Sequence, residues 1–299
     1  MRIATAAYPL DLLPNWTAYA EKQIAWVREA AGAGADLLVF PEYGKMELVG
    51  LAGVQTAGDL EASLHAAADL DEQANHLMAD LAQGYGVHIL CASGPVFEEG
   101  RARPVNRAWL VGPDAEAPFV AYQDKQVMTR FEREIWDVVP GDPLQVIETP
   151  LGKIGVLICY DAEFPLLGRA LIEQGAEILL VPSCTDGLAG YSRVRIGAMA
   201  RALEGQCVVV QSPTVGEAPW SPAVDENVGA AAIYGPPDLG FPETGVIAAG
   251  DLNEPGWILA DIDLSDIAQV RLEGSVLNQA HWSESHNRAI QSDHNGDLP

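Results

Sequence analysis

One stretch of the chain occurs twice. Gly34-Ala35-Asp36-Leu37-Leu38-Val39-Phe40-Pro41 returns as Gly175-Ala176-Glu177-Ile178-Leu179-Leu180-Val181-Pro182. In each copy a glycine closes a stretch of helical composition, and an unbroken apolar run follows that stops at proline. Glycine just past a helix supplies a left-handed cap. A continuous apolar run of strand length is the pattern of a strand buried on both faces. Such a strand needs cover on each side, so the repetition predicts two similar βαβ-type halves stacked about one core, an α/β layered architecture.

The surrounding segments fit that scheme. Residues 2–7 read as a strand, 16–31 as a helix, 60–83 as a longer helix with its acids outward, and 87–92 as another buried strand. Strands are expected at 107–111 and 119–122, about the turn Gly112-Pro113-Asp114. In the second half, 155–159 and 177–181 read as strands, 166–174 and 193–204 as helices, and 207–211 as a strand. No Ser/Gly linker divides the chain, so residues 1–282 are expected to form one domain. Residues 283–299 are polar and aperiodic, and read as an arm or a disordered tail.

Composition removes several classes of function. With 42 acidic against 17 basic side chains the net charge is -25, whereas nucleic-acid binding needs a cationic footprint. An anionic membrane surface is disfavoured for the same reason. A 48% hydrophobic, 20% charged chain is not an acidic disordered one. Cys91, Cys159, Cys184 and Cys207 form neither a disulfide framework nor a zinc pattern, and the six histidines show no HExxH spacing. Gly32-Ala33-Gly34 ends a helix and precedes a strand, the reverse of a dinucleotide loop. No cofactor or metal is therefore expected. No apolar run approaches the ~20 residues of a membrane span, and no leader is apparent, so a cytoplasmic protein with reduced thiols is the expectation.

Three chemically capable residues stand at strand ends, where side chains can reach a cleft. Glu42 closes the first repeated strand, Lys125 follows Tyr122-Gln123-Asp124, and Cys159 closes 155–159. A thiol becomes a nucleophile once a base takes its proton, and a carboxylate can do that. An ammonium can stabilise the thiolate and the oxyanion formed when it attacks a carbonyl, with the Tyr160 N–H as a second donor. Taken singly, each has a plainer reading: a packed thiol, a solvated acid, a solvated lysine.

The sequence around these residues narrows the choice. Phe40-Pro41-Glu42, Tyr122-Gln123-Asp124-Lys125 and Ile158-Cys159-Tyr160-Asp161-Ala162-Glu163-Phe164-Pro165 together resemble the nitrilase, or carbon-nitrogen hydrolase, superfamily. Val139-Pro140-Gly141-Asp142, Thr149-Pro150-Leu151-Gly152-Lys153-Ile154-Gly155 and Ala200-Arg201-Ala202-Leu203-Glu204 follow in that family's order. The resemblance implies an α-β-β-α sandwich over residues 1–282 and a Glu42-Lys125-Cys159 triad. It also implies a fourth acid before the Pro-Gly-Asp turn, for which Glu134 fits best and Glu132 is the rival; either could instead be a solvated residue of a charged loop. Its implied activity is cleavage of a non-peptide amide through a Cys acyl-enzyme, releasing ammonia or an amine.

Tyr160-Asp161 after the cysteine points to the amidase- or carbamoylase-like branches, since nitrilases usually carry Trp-Glu there. An N-carbamoyl amidohydrolase is the nearest alternative, with a nitrilase or a non-catalytic binding relative behind it. Tyr8-Pro9, Ser183-Cys184-Thr185-Asp186 and Gln211-Ser212 depart from the family's usual residues and leave the substrate open. Trp136, Tyr191 and Trp220 are candidate pocket walls or core residues, and Arg193, Arg195 and Arg201 candidate carboxylate binders or ion-pair formers. A small-molecule amide or carbamoyl partner is expected, and a homodimer or larger homo-oligomer through residues 166–174 and the helix from Arg193.

Overall fold

A computed structural model describes residues 1–288. The first half runs from β1 (Arg2–Pro9) through α1 (Trp16–Gly32) to β2 (Leu37–Val39). A 3₁₀ segment (Gly44–Ala52), α2 (Val54–Ala57), α3 (Leu60–Ala68) and α4 (Asp71–Tyr85) lead to β3 (His88–Leu90). β4 (Gly94–Val96), β5 (Val105–Val111) and β6 (Phe119–Asp124) complete that half. α5 (Arg130–Glu134) then precedes β7 (Ile147–Thr149), β8 (Gly152–Val156), a 3₁₀ turn (Cys159–Glu163) and α6 (Pro165–Glu173). β9 (Ile178–Ser183), α7 (Leu188–Gly205) and β10 (Val208–Glu217) follow. β11 (Glu226–Asn227), β12 (Ala232–Tyr234), β13 (Val246–Ala249), β14 (Gly256–Asp261), α8 (Leu264–Glu273) and α9 (Asn278–Arg288) end the described chain.

The two halves share a topology. One sheet has the order β14-β1-β2-β3-β5-β6, with β4 also on β5; the other has β7-β8-β9-β10-β12-β13. In each sheet three parallel strands, β1-β2-β3 or β8-β9-β10, are flanked by antiparallel ones. The repeated stretches are the central parallel strands β2 and β9, and Gly34 and Gly175 before them both adopt positive φ, 82° and 99°. β1 also pairs with β10 over Tyr8↔Thr214 and Pro9↔Val215, which joins the two sheets.

Alternation along the strands builds the layers. Ile3, Leu37, Val39 and Leu110 join a buried cluster with Val156, Leu180 and Val209 of the second sheet. Their neighbours Ala4, Ala6, Leu38 and Ile89 point the other way, onto Val27 and Ala30 of α1 and Met78 and Ala82 of α4. α6 and α7 cover the second sheet with Leu171, Val194, Ala198 and Ala202. Helix, sheet, sheet, helix is the stacking order, as the family resemblance implied. Each parallel strand is buried on both sides, which is why it reads as a continuous apolar run.

Some boundaries moved. The helix expected at 60–83 is two helices, and the break falls where Asp71 turns inward to a buried ion pair with Lys45. β8 ends at Val156 instead of Cys159, because Cys159 takes a left-handed conformation, with φ 50°, that no strand accommodates. The boundary expected at 282/283 lies inside α9, whose Trp282 packs on the core and under Arg169. The rest of the expected tail, 289–299, lies outside the described residues. Among the described residues, no helix is long and apolar enough to cross a membrane.

Candidate active site

The C-terminal ends of the parallel strands open into one cavity of about 650 Å³, where open α/β sheets commonly hold ligands. Glu42 stands just past β2, Lys125 just past β6 and Cys159 just past β8, and all three line it. Tyr160 lines it beside Cys159, and Cys184 beyond β9.

Local structure holds each side chain. The Lys125 N–H donates to Asn106 O (2.9 Å) and its carbonyl accepts from Gly141 N (3.2 Å). Asp142 N donates to Asp124 Oδ2 at 2.9 Å, and a Cβ on Gly141 would lie 2.2 Å from that of Asp124. The Pro-Gly-Asp turn therefore clamps the strand end that carries the lysine. On the other side, Asp161 accepts from the backbone N–H groups of Gln126 and Val127. Burial of its carboxyl raises its pKa to about 6. Gly197 of α7 allows close packing on the Cys159 turn: a Cβ there would sit 2.7 Å from Ala162 O.

The charges form one buried cluster. Lys125 Nζ lies 2.7 Å from Glu42 Oε1 and 2.8 and 2.6 Å from the two oxygens of Glu132. Glu132 also accepts from Tyr43 OH (2.8 Å) and from the N–H and Oγ1 of Thr129 (both 2.8 Å). Glu42 accepts from Lys125 and from Asn106 Nδ2 (3.0 Å), and the Cys159 thiol hydrogen-bonds to it. The two acids separate accordingly. Burial pushes Glu42 up, more than Lys125 pulls it down, to about 7. Burial also pushes on Glu132, but Lys125, Thr129 and Tyr43 more than offset it and hold the carboxyl below the usual range. Burial tends to lower Lys125, yet the two carboxylates raise it well above the ordinary lysine value. Burial and the Glu42 charge raise Cys159 well above an ordinary thiol, so it rests protonated, with Sγ 3.7 Å from Cys184 O.

The sequence expectation for the fourth acid changes here. Glu134 does not line the cavity; it is half-exposed and pairs with Arg130 at 2.7 Å. Glu132, the rival, is the acid that meets Lys125. Residues 130–134 form a short helix with a Thr129/Glu132 capping box. Two residues along a helix is a rotation of about 200°, so Glu134 must face away from Glu132. The Thr-x-x-Glu spacing was readable in the sequence as that signal. Asn106 went unnoticed, since it carries no motif of its own, and Asp161, though part of the motif around Cys159, was given no structural role. Trp136 lines the cavity, while Trp220 packs with the first-sheet core and Tyr191 is buried in α7. Of the arginines, Arg193 lines the cavity, whereas buried Arg201 bonds Ala162 O and Glu204. Among the described residues, no group of three or more His, Cys, Asp or Glu is placed to hold a metal ion.

Fold and cavity together define an α-β-β-α sandwich with a thiol, an ammonium and two carboxylates meeting at the strand ends. The chain belongs to the carbon-nitrogen hydrolase family, whose model matches residues 2–272. It is 32% identical over 276 residues to the probable hydrolase YhcX of Bacillus subtilis, covering 92% of this chain and 52% of YhcX. It is 33% identical over 162 residues to deaminated glutathione amidase of Yersinia enterocolitica, covering 51% and 56%. Nitrilase 3 of Arabidopsis thaliana is 29% identical over 284 residues, covering 88% and 79%. The chain thus spans about half the length of the first two. Among solved structures, a carbon-nitrogen hydrolase from Helicobacter pylori G27 superposes with a TM-score of 0.77 at 16% identity, covering 98% of each chain. The amidase from Nesterenkonia sp. AN1 does so with 0.67 at 22% identity, covering 97% of each. These superpositions establish the fold.

Proposed function

We propose that the protein hydrolyses a non-peptide amide of a small molecule through a Cys159 acyl-enzyme. The observation that carries this is that a buried thiol, a carboxylate bonded to it and raised to about 7, and the lysine bonded to that carboxylate meet in one cavity. Glu42 takes the Sγ proton as sulfur attacks the amide carbon. Lys125 Nζ and the Tyr160 N–H hold the oxyanion. The C–N bond breaks as Glu42 returns the proton to nitrogen, leaving a thioester and free ammonia or amine. Water, deprotonated by Glu42, attacks the thioester; the acid departs and the thiol is restored. Glu132 stays ionised throughout and holds Lys125 in place.

Amidase names among the relatives support this reading. It is tested by incubating the enzyme with an amide library and weighing the intact protein. An acyl mass on Cys159, absent from Cys159→Ala, is expected; amide turnover by Cys159→Ala overturns it. Carbon dioxide release alongside ammonia would identify the N-carbamoyl reaction, and turnover of nitriles alone a nitrilase.

We further propose that the protein pairs as a homodimer through α6 and α7, whose Leu166, Leu188 and Ile196 are 76%, 59% and 68% exposed.

A further inference from the structure

We infer that the substrate carries a positive charge at the end remote from its scissile amide, and that Asp186, Asp225 and Glu226 select for it. The inference rests on the amide-hydrolase reading for the scissile end alone. All three acids are exposed and wall the cavity whose floor holds Cys159. Two loops bring them to one side. Val228 N donates to Thr185 O (2.8 Å) and Thr185 Oγ1 to Val228 O (2.7 Å), so the segment after β9 is tied to the β11 segment.

Charge pairing makes the wall anionic. None of the three acids has a basic side chain within ion-pair distance among the described residues, whereas both arginines on the lining do have a partner. Arg130 Nε is 2.7 Å from Glu134 Oε2, and Arg193 Nε is 3.6 Å from Glu163 Oε1. A substrate carboxylate would have to share an arginine already neutralised by a glutamate while facing three acids without such a partner. An ammonium or guanidinium meets unpaired carboxylates already in place. The floor does not reverse this sign, because Glu42 and Glu132 together offset Lys125. In a water-accessible mouth each such contact is worth little, so selection on the order of tenfold that salt weakens is expected, and not an absolute requirement.

The test measures binding and turnover separately. Calorimetry on Cys159→Ala compares 4-aminobutanamide, 5-aminopentanamide and 6-aminohexanamide with the neutral alkanamides and ω-carboxylate amides of matched length. At least one ammonium amide is expected to bind about tenfold tighter than its neutral partner and tighter still than the carboxylate. That advantage should shrink at high salt and disappear in Asp186→Asn/Asp225→Asn/Glu226→Gln on the same background. Each comparison is a ratio within one preparation, so a partly unfolded variant does not mimic the loss. Equal or tighter binding of the neutral or anionic amides, or no measurable binding of any ammonium amide, overturns the inference. If the ammonium amides bind selectively and native enzyme hydrolyses none of them, the amide-hydrolase reading falls and the charge selection stands.

Discussion

Lys125 sits between two carboxylates that look alike in the sequence and differ in what surrounds them. Glu132 collects bonds from Lys125, Thr129 and Tyr43, so in the proposed reaction it is the anchor, and Glu42, with fewer donors, is the acid that moves the proton. Glu132→Gln is therefore expected to lower kcat by on the order of 10²–10³, while Glu134→Gln stays within about twofold, as for an ordinary surface change; steady-state kinetics decides between them. In the proposed reaction Glu42 serves as base only when ionised, so kcat/KM should rise with pH through about 7. It should then hold level past pH 9, because Cys159 and Lys125 both titrate well above their ordinary values. Asn106 Nδ2 stabilises the ionised form of Glu42. Asn106→Ala is thus expected to move the acid limb of that profile upward by about one pH unit, roughly one hydrogen bond to a charged group. A loss of activity with the limb unmoved would assign Asn106 a purely structural role.

Elements, more than single residues, place these groups. A charged loop was the plainer alternative for residues 130–134, yet the capping box of α5 makes them helical and turns Glu132 inward. The local signal was present; what hid it was the shortness of the helix, too brief for any apolar period to register. α7 reaches the Cys159 turn only because Gly197 lacks a side chain. Gly197→Ala should destabilise the protein by about 1–3 kcal/mol by overpacking, read as a lower urea midpoint. α6 and α7 also expose Leu166 and Ile196, apolar groups worth roughly 2 kcal/mol each when buried. If they form the proposed dimer contact, Leu166→Asp/Ile196→Asp converts the dimer seen by light scattering at micromolar concentration to monomer. A native chain already monomeric there would refute the proposal.

At the scale of the whole molecule, the two sheets meet through few polar contacts. Ser212 Oγ on β10 lies 2.9 Å from both Ala6 O and Val39 O of the first sheet, and Thr5 Oγ1 donates to Gln211 O at 2.8 Å. Ser212→Ala leaves one of these buried carbonyls short of its hydroxyl donor and is expected to cost about 1–3 kcal/mol in chemical denaturation. The layered architecture, the central strands and the strand-end positions of Glu42, Lys125 and Cys159 were legible in the sequence, because burial on both faces writes itself as a continuous apolar run ending at a turn residue. Which glutamate would meet Lys125, that Asn106 would touch Glu42, and that Asp186 would share a wall with Asp225 and Glu226 were not legible. Those contacts join residues 7, 64 and about 40 positions apart. Local propensity carries no record of such neighbours; the stacking of two sheets brings their loops to one mouth, and only the folded chain sets the charges and pKa values found there.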